Sequence, residues 1–201
     1  LVILLVATDQ YTKNKYSLNI YEYVKYSKPI TDEEREYLSK RGTIYFVSDK
    51  NAPPFAYIDK NSGQYKGLVL DYASVLSIEL EVETEFIPKE WEEAVKSVIN
   101  GDADICDMFS SSERKKYLIF SEPIYKLRAI IMTRKNQNEI TDIFGLSGKK
   151  VAIPSGDYAI EYIKNSASNV DIVETTDVLE SINLLLDGAV EAVIGDEPVI
   201  M

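Results

Sequence analysis

Histidine is absent from the 201-residue chain, and cysteine occurs once. The first absence removes Ser-His-Asp and Cys-His constellations, imidazole metal ligands and histidine acid–base work. The second excludes a disulfide within the chain. The single thiol, Cys106, lies in the run Ala103–Asp104–Ile105–Cys106 and reads as inert core rather than as a nucleophile. Neither GxGxxG nor GxxxxGK[ST] occurs, so no nucleotide cradle is present. Positive charge is also scarce: 22 Lys and Arg against 33 Asp and Glu give a net charge of −11. Nucleic acid binding rests on cations neutralising phosphates, so that class is excluded, as is docking on anionic lipid heads. No cofactor and no metal is expected, while carboxylate or lysine chemistry stays open. Hydrophobic residues make up 45% and charged residues 27%, which suffices for a packed core.

Long apolar runs are missing too. The chain opens with seven apolar residues, Leu1–Val2–Ile3–Leu4–Leu5–Val6–Ala7, whereas a bilayer-spanning helix needs about 20. Two readings compete: the outer end of a membrane or signal segment, or a short buried strand. The terminal position and the polar tail that follows favour the first. Residues 8–30 lack periodicity and carry Tyr11, Tyr16, Tyr21, Tyr23 and Tyr26 among Lys and Asn, as a juxtamembrane linker would. Thr31–Asp32–Glu33–Glu34 forms a capping box that starts a short helix ending at Gly42. The expected division is therefore a membrane or signal end over 1–7 and a linker with a short helix over 8–42.

From Thr43 the pattern turns α/β. Strands are expected at Thr43–Ser48, Phe55–Ile58, Val82–Ile87 and Ala103–Cys106, with a loop at Asn51–Pro54 because tandem prolines cannot continue a ladder. Helix Leu68–Leu80 places Leu68, Tyr72, Val75, Leu76 and Glu79 on one face, and helix Glu90–Ile99 presents Trp91, Ala94, Val95, Val98 and Ile99 as a buried stripe. The second half repeats this grammar. Lys150–Ile153, Asp171–Glu174 and Glu191–Ile194 read as strands. Asp157–Lys164 and Val178–Leu186 read as helices, the latter with Val178, Leu179, Ile182, Leu185 and Leu186 on its stripe. In both halves an apolar helix stops at a glycine turn (Asn100–Gly101, Asp187–Gly188) and feeds an acidic-apolar strand. Two similar α/β lobes follow from that, not one large sheet. Ala129–Lys135 is expected to cross between them, with lobe 1 over 43–132 and lobe 2 over 133–201.

Six segments, in this order, resemble the extracellular solute-binding protein family 3, which has the periplasmic binding protein type II fold. They are Asp49–Phe55, Gly67 with Asp71, Asn100–Asp104, Glu113–Arg114 followed by Phe120–Ser121–Glu122–Pro123, Gly148–Ala152, and Gly195–Asp196. The resemblance covers about Gly42 to Met201. It implies two Rossmann-like lobes joined by a hinge, with the site between them. It also implies that the second lobe and the return to the first are truncated at Met201.

By the same resemblance Arg114 grips a ligand carboxylate, as a guanidinium fork does with two parallel bonds. Asp49 and Asp196 end strands and meet a ligand ammonium, at the carboxyl ends where open α/β sheets bind ligands. Gly156, Asp157 and Tyr158, at a helix start, offer backbone amides to a carboxylate. Trp91 stacks on the ligand. Three positions depart from the family: Ala52 where an aromatic is common, Phe109 where a small hydroxyl residue is common, and Asp107 where a small residue is usual. An extra carboxylate at Asp107 would repel an anion and favour an amine-bearing ligand. The expected partner is thus a small molecule, an amino acid or an amine. The expected role is an extracytoplasmic, membrane-anchored sensor whose output domain lies outside this chain. A transport binding protein is the alternative, and a dehydratase-like enzyme on the same fold is disfavoured.

Overall fold

The computed structural model describes residues 2–16, 19–21, 30–135, 137 and 139–201. Two compact units result, Leu1–Gly42 and Thr43–Met201.

In the first unit a helix runs Val2–Tyr16, straight through the boundary expected between residues 7 and 8. Its polar half is helical because side chains four apart support it: Lys13 pairs with Asp9 at 2.6 Å and Gln10 donates to Asn14 at 2.9 Å. The stretch from residue 8, read as lacking periodicity, is helical as far as Tyr16. Tyr23 and Tyr26 lie outside the described residues. Among the described residues no helix is long and apolar enough to cross a membrane. The capping box forms as read: Glu34 N–H donates to Thr31 Oγ1 at 3.2 Å, Thr31 N–H donates to Glu34 Oε2 at 2.8 Å, and helix Asp32–Arg41 ends at Gly42.

The second unit holds two lobes. Lobe 1 is built on a parallel sheet of β1 (Ile44–Asp49), β5 (Thr84–Lys89) and β6 (Ile105–Cys106), ordered β5-β1-β6. Helices Leu68–Leu80 and Trp91–Asn100 cover it. Phe46 packs with Val69 and Ala73 on one face, and Val47 with Ala94 and Ala103 on the other. A small antiparallel sheet joins β2 (Asn51–Ala52), inside the expected loop, to β3 (Ala56–Ile58), which matches the expected strand, and β4 (Tyr65–Lys66). Gly67 closes this part tightly. Its φ is +145°, and a Cβ there would sit 2.1 Å from the Phe55 carbonyl oxygen.

Lobe 2 is a sheet ordered β7-β10-β8-β9, of β7 (Ala129–Thr133), β8 (Lys150–Pro154), β9 (Asp171–Thr175) and β10 (Ala192–Asp196). β7 runs antiparallel to β10, with Asp196 opposite Ala129, so the expected crossing strand is already part of this sheet. Alternation along β8 explains the two cores. Val151 and Ile153 join Leu146, Ala159 and Ile163, while Ala152 joins Leu185, Val190 and Val193. Each fully buried valine or isoleucine here contributes about 1.5–3 kcal/mol.

Two helix faces differ from expectation. Helix Leu68–Leu80 buries Val69, Leu70 and Ala73, leaving Leu68, Tyr72 and Val75 at 58%, 51% and 59% exposure. Helix Val178–Leu186 buries Ser181 and Leu185, leaving Leu179 and Leu186 exposed. Apolar residues fall on more than one face of each helix, so periodicity alone does not select the buried one. Close packing on the sheet favours small residues such as Ala73 and Ser181. Helix Trp91–Asn100 keeps Ala94 buried but exposes Ile99, and Ser97 takes the inner position.

Candidate functional site

The site gathers at the carboxyl ends of the strands in both lobes. Asp49 ends β1, Asp107 follows β6 and Asp196 ends β10. Trp91 opens helix Trp91–Asn100, and Asp157 caps helix Tyr158–Ser166 by accepting from Ala159 N–H at 2.7 Å. Arg114 lies in a short 3-10 turn, Arg114–Lys116, within the segment connecting the lobes.

Arg114 is buried, and two of its five N–H donors are engaged. Nη1 donates to the Phe109 carbonyl and Nη2 to the Gly156 carbonyl, each at 2.8 Å. The second bond joins lobe 2. The Arg114 guanidinium carbon also lies 5.7 Å from the Trp91 ring centre. Burial draws its pKa down, and Asp157 leads the charges that hold it up. Other contacts span the lobes. Asn51 Nδ2 donates to Asp177 Oδ2 at 3.2 Å, and the Phe109 and Tyr158 rings meet tilted with centres 4.8 Å apart. Gly156, at φ +77°, approaches so closely that an added Cβ would sit 3.3 Å from the Glu92 Cα.

Four carboxylates are held above the usual carboxylate range. Burial pushes Asp49 up to about 6, with Glu90 and Asp177 adding repulsion against the Asn51 N–H bond. Asp107 is pushed up to about 7, again mainly by burial. Asp196 is pushed up to about 7 by burial and then by Asp157. Asp157 itself is raised by burial, against the opposing effects of Ala159 N–H and Arg114. Among the described residues none of these four acids has an ion-pair partner.

Among the described residues four buried side-chain atoms have no hydrogen-bond partner: Ser48 Oγ, Glu90 Oε2, Trp91 Nε1 and Asp107 Oδ1. All belong to the strand ends and helix start of lobe 1. An unmet buried polar group costs about 1–3 kcal/mol, and Ser48 lies close to Asp107 and Tyr65.

The predicted residues therefore come together in two groups. Asp49 and Asp107 neighbour one another in lobe 1. Asp196, Asp157, Tyr158 and Gly156 form the lobe 2 side, and Arg114 reaches it beside Trp91. No hydrogen bond among the described residues links Asp49 to Asp196. Tyr125 spans the interval, its pKa raised first by burial and then by both Asp107 and Asp196. Sequence reasoning missed Tyr125, Ser48 and Glu90. Glu90 pairs through Oε1 with Lys50 at 2.6 Å, a contact no spacing rule announces. Cys106 is a half-buried free thiol raised well above its usual range by burial, in keeping with an inert role. Among the described residues no cluster of acids and cysteine fit to hold a metal occurs.

Residues 44–194 match the family of bacterial extracellular solute-binding proteins, family 3, and the chain belongs to that family. The L-cystine-binding protein TcyJ of Escherichia coli is 26% identical over 163 residues, covering 79% of this chain and 60% of TcyJ. The ABC transporter arginine-binding protein 1 of the same organism is 25% identical over 159 residues, covering 78% of this chain and 64% of its own length. The virulence sensor protein BvgS of Bordetella pertussis is 24% identical over 133 residues, 65% of this chain and 11% of BvgS. Among solved structures, an ancestral amino acid-binding protein that is a precursor of cyclohexadienyl dehydratase superposes with a TM-score of 0.72. It is 29% identical, covering 83% of this chain and 76% of that one. This chain thus spans about three fifths of the length of the curated relatives that resemble it along most of its own. Its architecture is that of the amino-acid-binding proteins, two α/β lobes around a cleft.

Proposed function

We propose that this domain binds a small solute carrying both an ammonium and a carboxylate, an amino acid first of all, between its lobes. Arg114 takes the carboxylate with its remaining N–H donors, helped by the helix start at Gly156–Tyr158. Asp196 takes the ammonium, and Trp91 lies along the ligand. The observation that supports this reading is Arg114, buried at the lobe junction, bonded to the Gly156 carbonyl of lobe 2 at 2.8 Å and lying beside Trp91 of lobe 1. A ligand that bonds both walls favours the closed arrangement by its differential affinity for it. Relatives named for cystine and arginine binding support the solute class.

The further step is signalling. Likeness to a sensor protein and the separate unit preceding Thr43 support a membrane-anchored receptor domain whose closure is passed to an output domain. Delivery of solute to an ABC transporter is the second reading, favoured by the arginine-binding relative. Both are binding functions, and we read the domain as a non-enzyme. The test is a thermal-shift screen of amino acids and amines. Ligand at 100 times its Kd adds about 2.7 kcal/mol, or about 5–10 °C for a domain of this size. A screen in which none raises Tm overturns the reading. The flanking gene sequence separates the roles: a membrane-spanning helix with a kinase or cyclic-dinucleotide domain supports the sensor, and an adjoining permease the transporter.

A further inference from the structure

Phe109 is one of the positions at which this chain departs from the usual family residue, and its ring joins the lobes. It follows β6 of lobe 1 and meets the Tyr158 ring of lobe 2, tilted, with centres 4.8 Å apart. That is within the range at which tilted aromatic pairs attract beyond their burial. A serine or threonine at 109 has no ring to offer Tyr158. The same residue also works through its backbone. Its carbonyl accepts from Arg114 Nη1 at 2.8 Å, while Arg114 Nη2 donates to the Gly156 carbonyl. Two short stretches, 109–114 of lobe 1 and 156–158 of lobe 2, are therefore joined at both of their ends.

Two further contacts lie along this seam. Gly156 seats against the Glu92 backbone, so closely that an added Cβ would stand 3.3 Å from the Glu92 Cα. Asn51 Nδ2 donates to Asp177 Oδ2 at 3.2 Å, and the Asn51 N–H donates to Asp49 Oδ1 at 2.8 Å. One neutral residue thus bridges acids of opposite lobes. Asp177 is fixed for this contact because its Oδ1 caps helix Val178–Leu186, accepting from Glu180 N–H at 2.8 Å. Each of these contacts is made between protein groups and needs no ligand atom.

We propose that Phe109 and Tyr158 form a clasp that holds the lobes closed through protein contacts, so that closure precedes the solute and entry of a solute requires the clasp to part. This rests on the reading of the domain as two closing lobes, and on no particular solute. Phe109 is then a positioning residue for closure, acting through Tyr158 and Arg114. A domain closed beforehand takes up solute no faster than it opens, which slows association below that of a preformed open cleft.

The experiment reads Trp91, the single tryptophan of the chain, which opens the helix at this seam next to Glu92. Acrylamide, a neutral quencher, is titrated into the exhaustively dialysed 201-residue chain and into Phe109→Ser, Tyr158→Leu and the double variant. Each single substitution should raise the Stern–Volmer constant about twofold as the open population grows, with a larger radius of gyration in small-angle scattering. The double variant should add nothing, because either change breaks the same contact. Tyr158→Phe keeps the ring and should quench as the wild type does. Circular dichroism checks the fold, and Tyr158→Leu, at a half-buried helix start, carries the test if Phe109→Ser loses it. Effects that add, or an effect of Phe109→Ser with none of Tyr158→Leu, would make Phe109 a packing residue of lobe 1 and overturn the clasp. A wild-type Trp91 already as open to acrylamide as in the variants would overturn closure ahead of solute. Neither result touches the amino acid reading, which the thermal-shift screen tests separately.

Discussion

Arg114 Nη2 donates to the Gly156 carbonyl at 2.8 Å, so the cation expected to hold the ligand also ties the two lobes together directly. On the proposed function one guanidinium would serve both closure and recognition. Replacing Arg114 by Ala removes both, leaving the Phe109 and Gly156 carbonyls to find water. Affinity for an amino acid ligand should fall at least a hundredfold, since truncating one partner of a buried charge pair costs about 2–5 kcal/mol. Arg114→Lys retains the charge without the planar fork and should lie between. Titration of both variants with the ligand that gives the largest wild-type thermal shift checks the order. Wild-type affinity in Arg114→Ala would remove Arg114 from the site.

Gly156 is bound to its place twice, by backbone and by space. At φ +77° an L side chain is strained by roughly 1–2 kcal/mol. Its methyl would also stand 3.3 Å from the Glu92 Cα across the cleft, tighter than ordinary contact. Gly156→Ala should therefore open the lobes more than it destabilises either one. Small-angle scattering should give a larger radius of gyration, and ligand affinity should fall with only a modest loss in Tm. An unchanged radius with unchanged affinity would mean the approach does not limit closure.

Much of this was legible from residue order, for reasons that differ by element. Helix Leu68–Leu80 agrees to the residue, with Gly67 and Glu81 at its two caps, yet it buries a different face from the one its spacing suggests. Bounds come from local backbone chemistry. Faces come from which side chains fit against the sheet, and Val69 and Ala73 fit where Tyr72 does not. The helix through residues 8–16 was hidden for the opposite reason. It is held by polar pairs such as Asp9–Lys13, which leave no hydrophobic period. The predicted acids and Arg114 sit at strand ends and lobe junctions, where family-like spacing carries them. Tyr125 and the pairing of Lys50 with Glu90 depend on chain segments meeting only in space.

Gly67 gives a sharper local test. A Cβ would lie 2.1 Å from the Phe55 carbonyl oxygen and 2.9 Å from the Ala56 nitrogen, both backbone atoms that cannot step aside cheaply. Gly67→Ala should cost more than about 3 kcal/mol, at the extreme of single substitutions, because strain and overpacking add. Chemical denaturation, or failure to recover folded protein at all, checks this. A change under 1 kcal/mol would show that the small sheet of β2, β3 and β4 shifts freely against the helix.

The raised acids also set the pH dependence of the ligand-free protein. Asp107 and Asp196 sit near 7 and Asp49 near 6, against about 3.9 in an unfolded chain. Below pH 4 both states hold these protons and the groups contribute nothing. Between pH 4 and 7 the unfolded chain has released them while the folded one has not, so stability falls as pH rises. Above 7 the loss is complete. Exposed carboxylates such as Glu34, lowered by its bonds from Thr31, work in the opposite sense and cost stability only as pH drops through the acid range. Ligand-free Tm should therefore be highest near pH 5 and lower at pH 8. Asp107→Asn, which cannot ionise, should flatten that decline and raise Tm at pH 8, by about 2–4 °C for each kcal/mol recovered. A Tm that climbs steadily from pH 5 to pH 8, with Asp107→Asn no different from wild type, would mean these carboxyls titrate as ordinary surface acids and that the cleft is open to water.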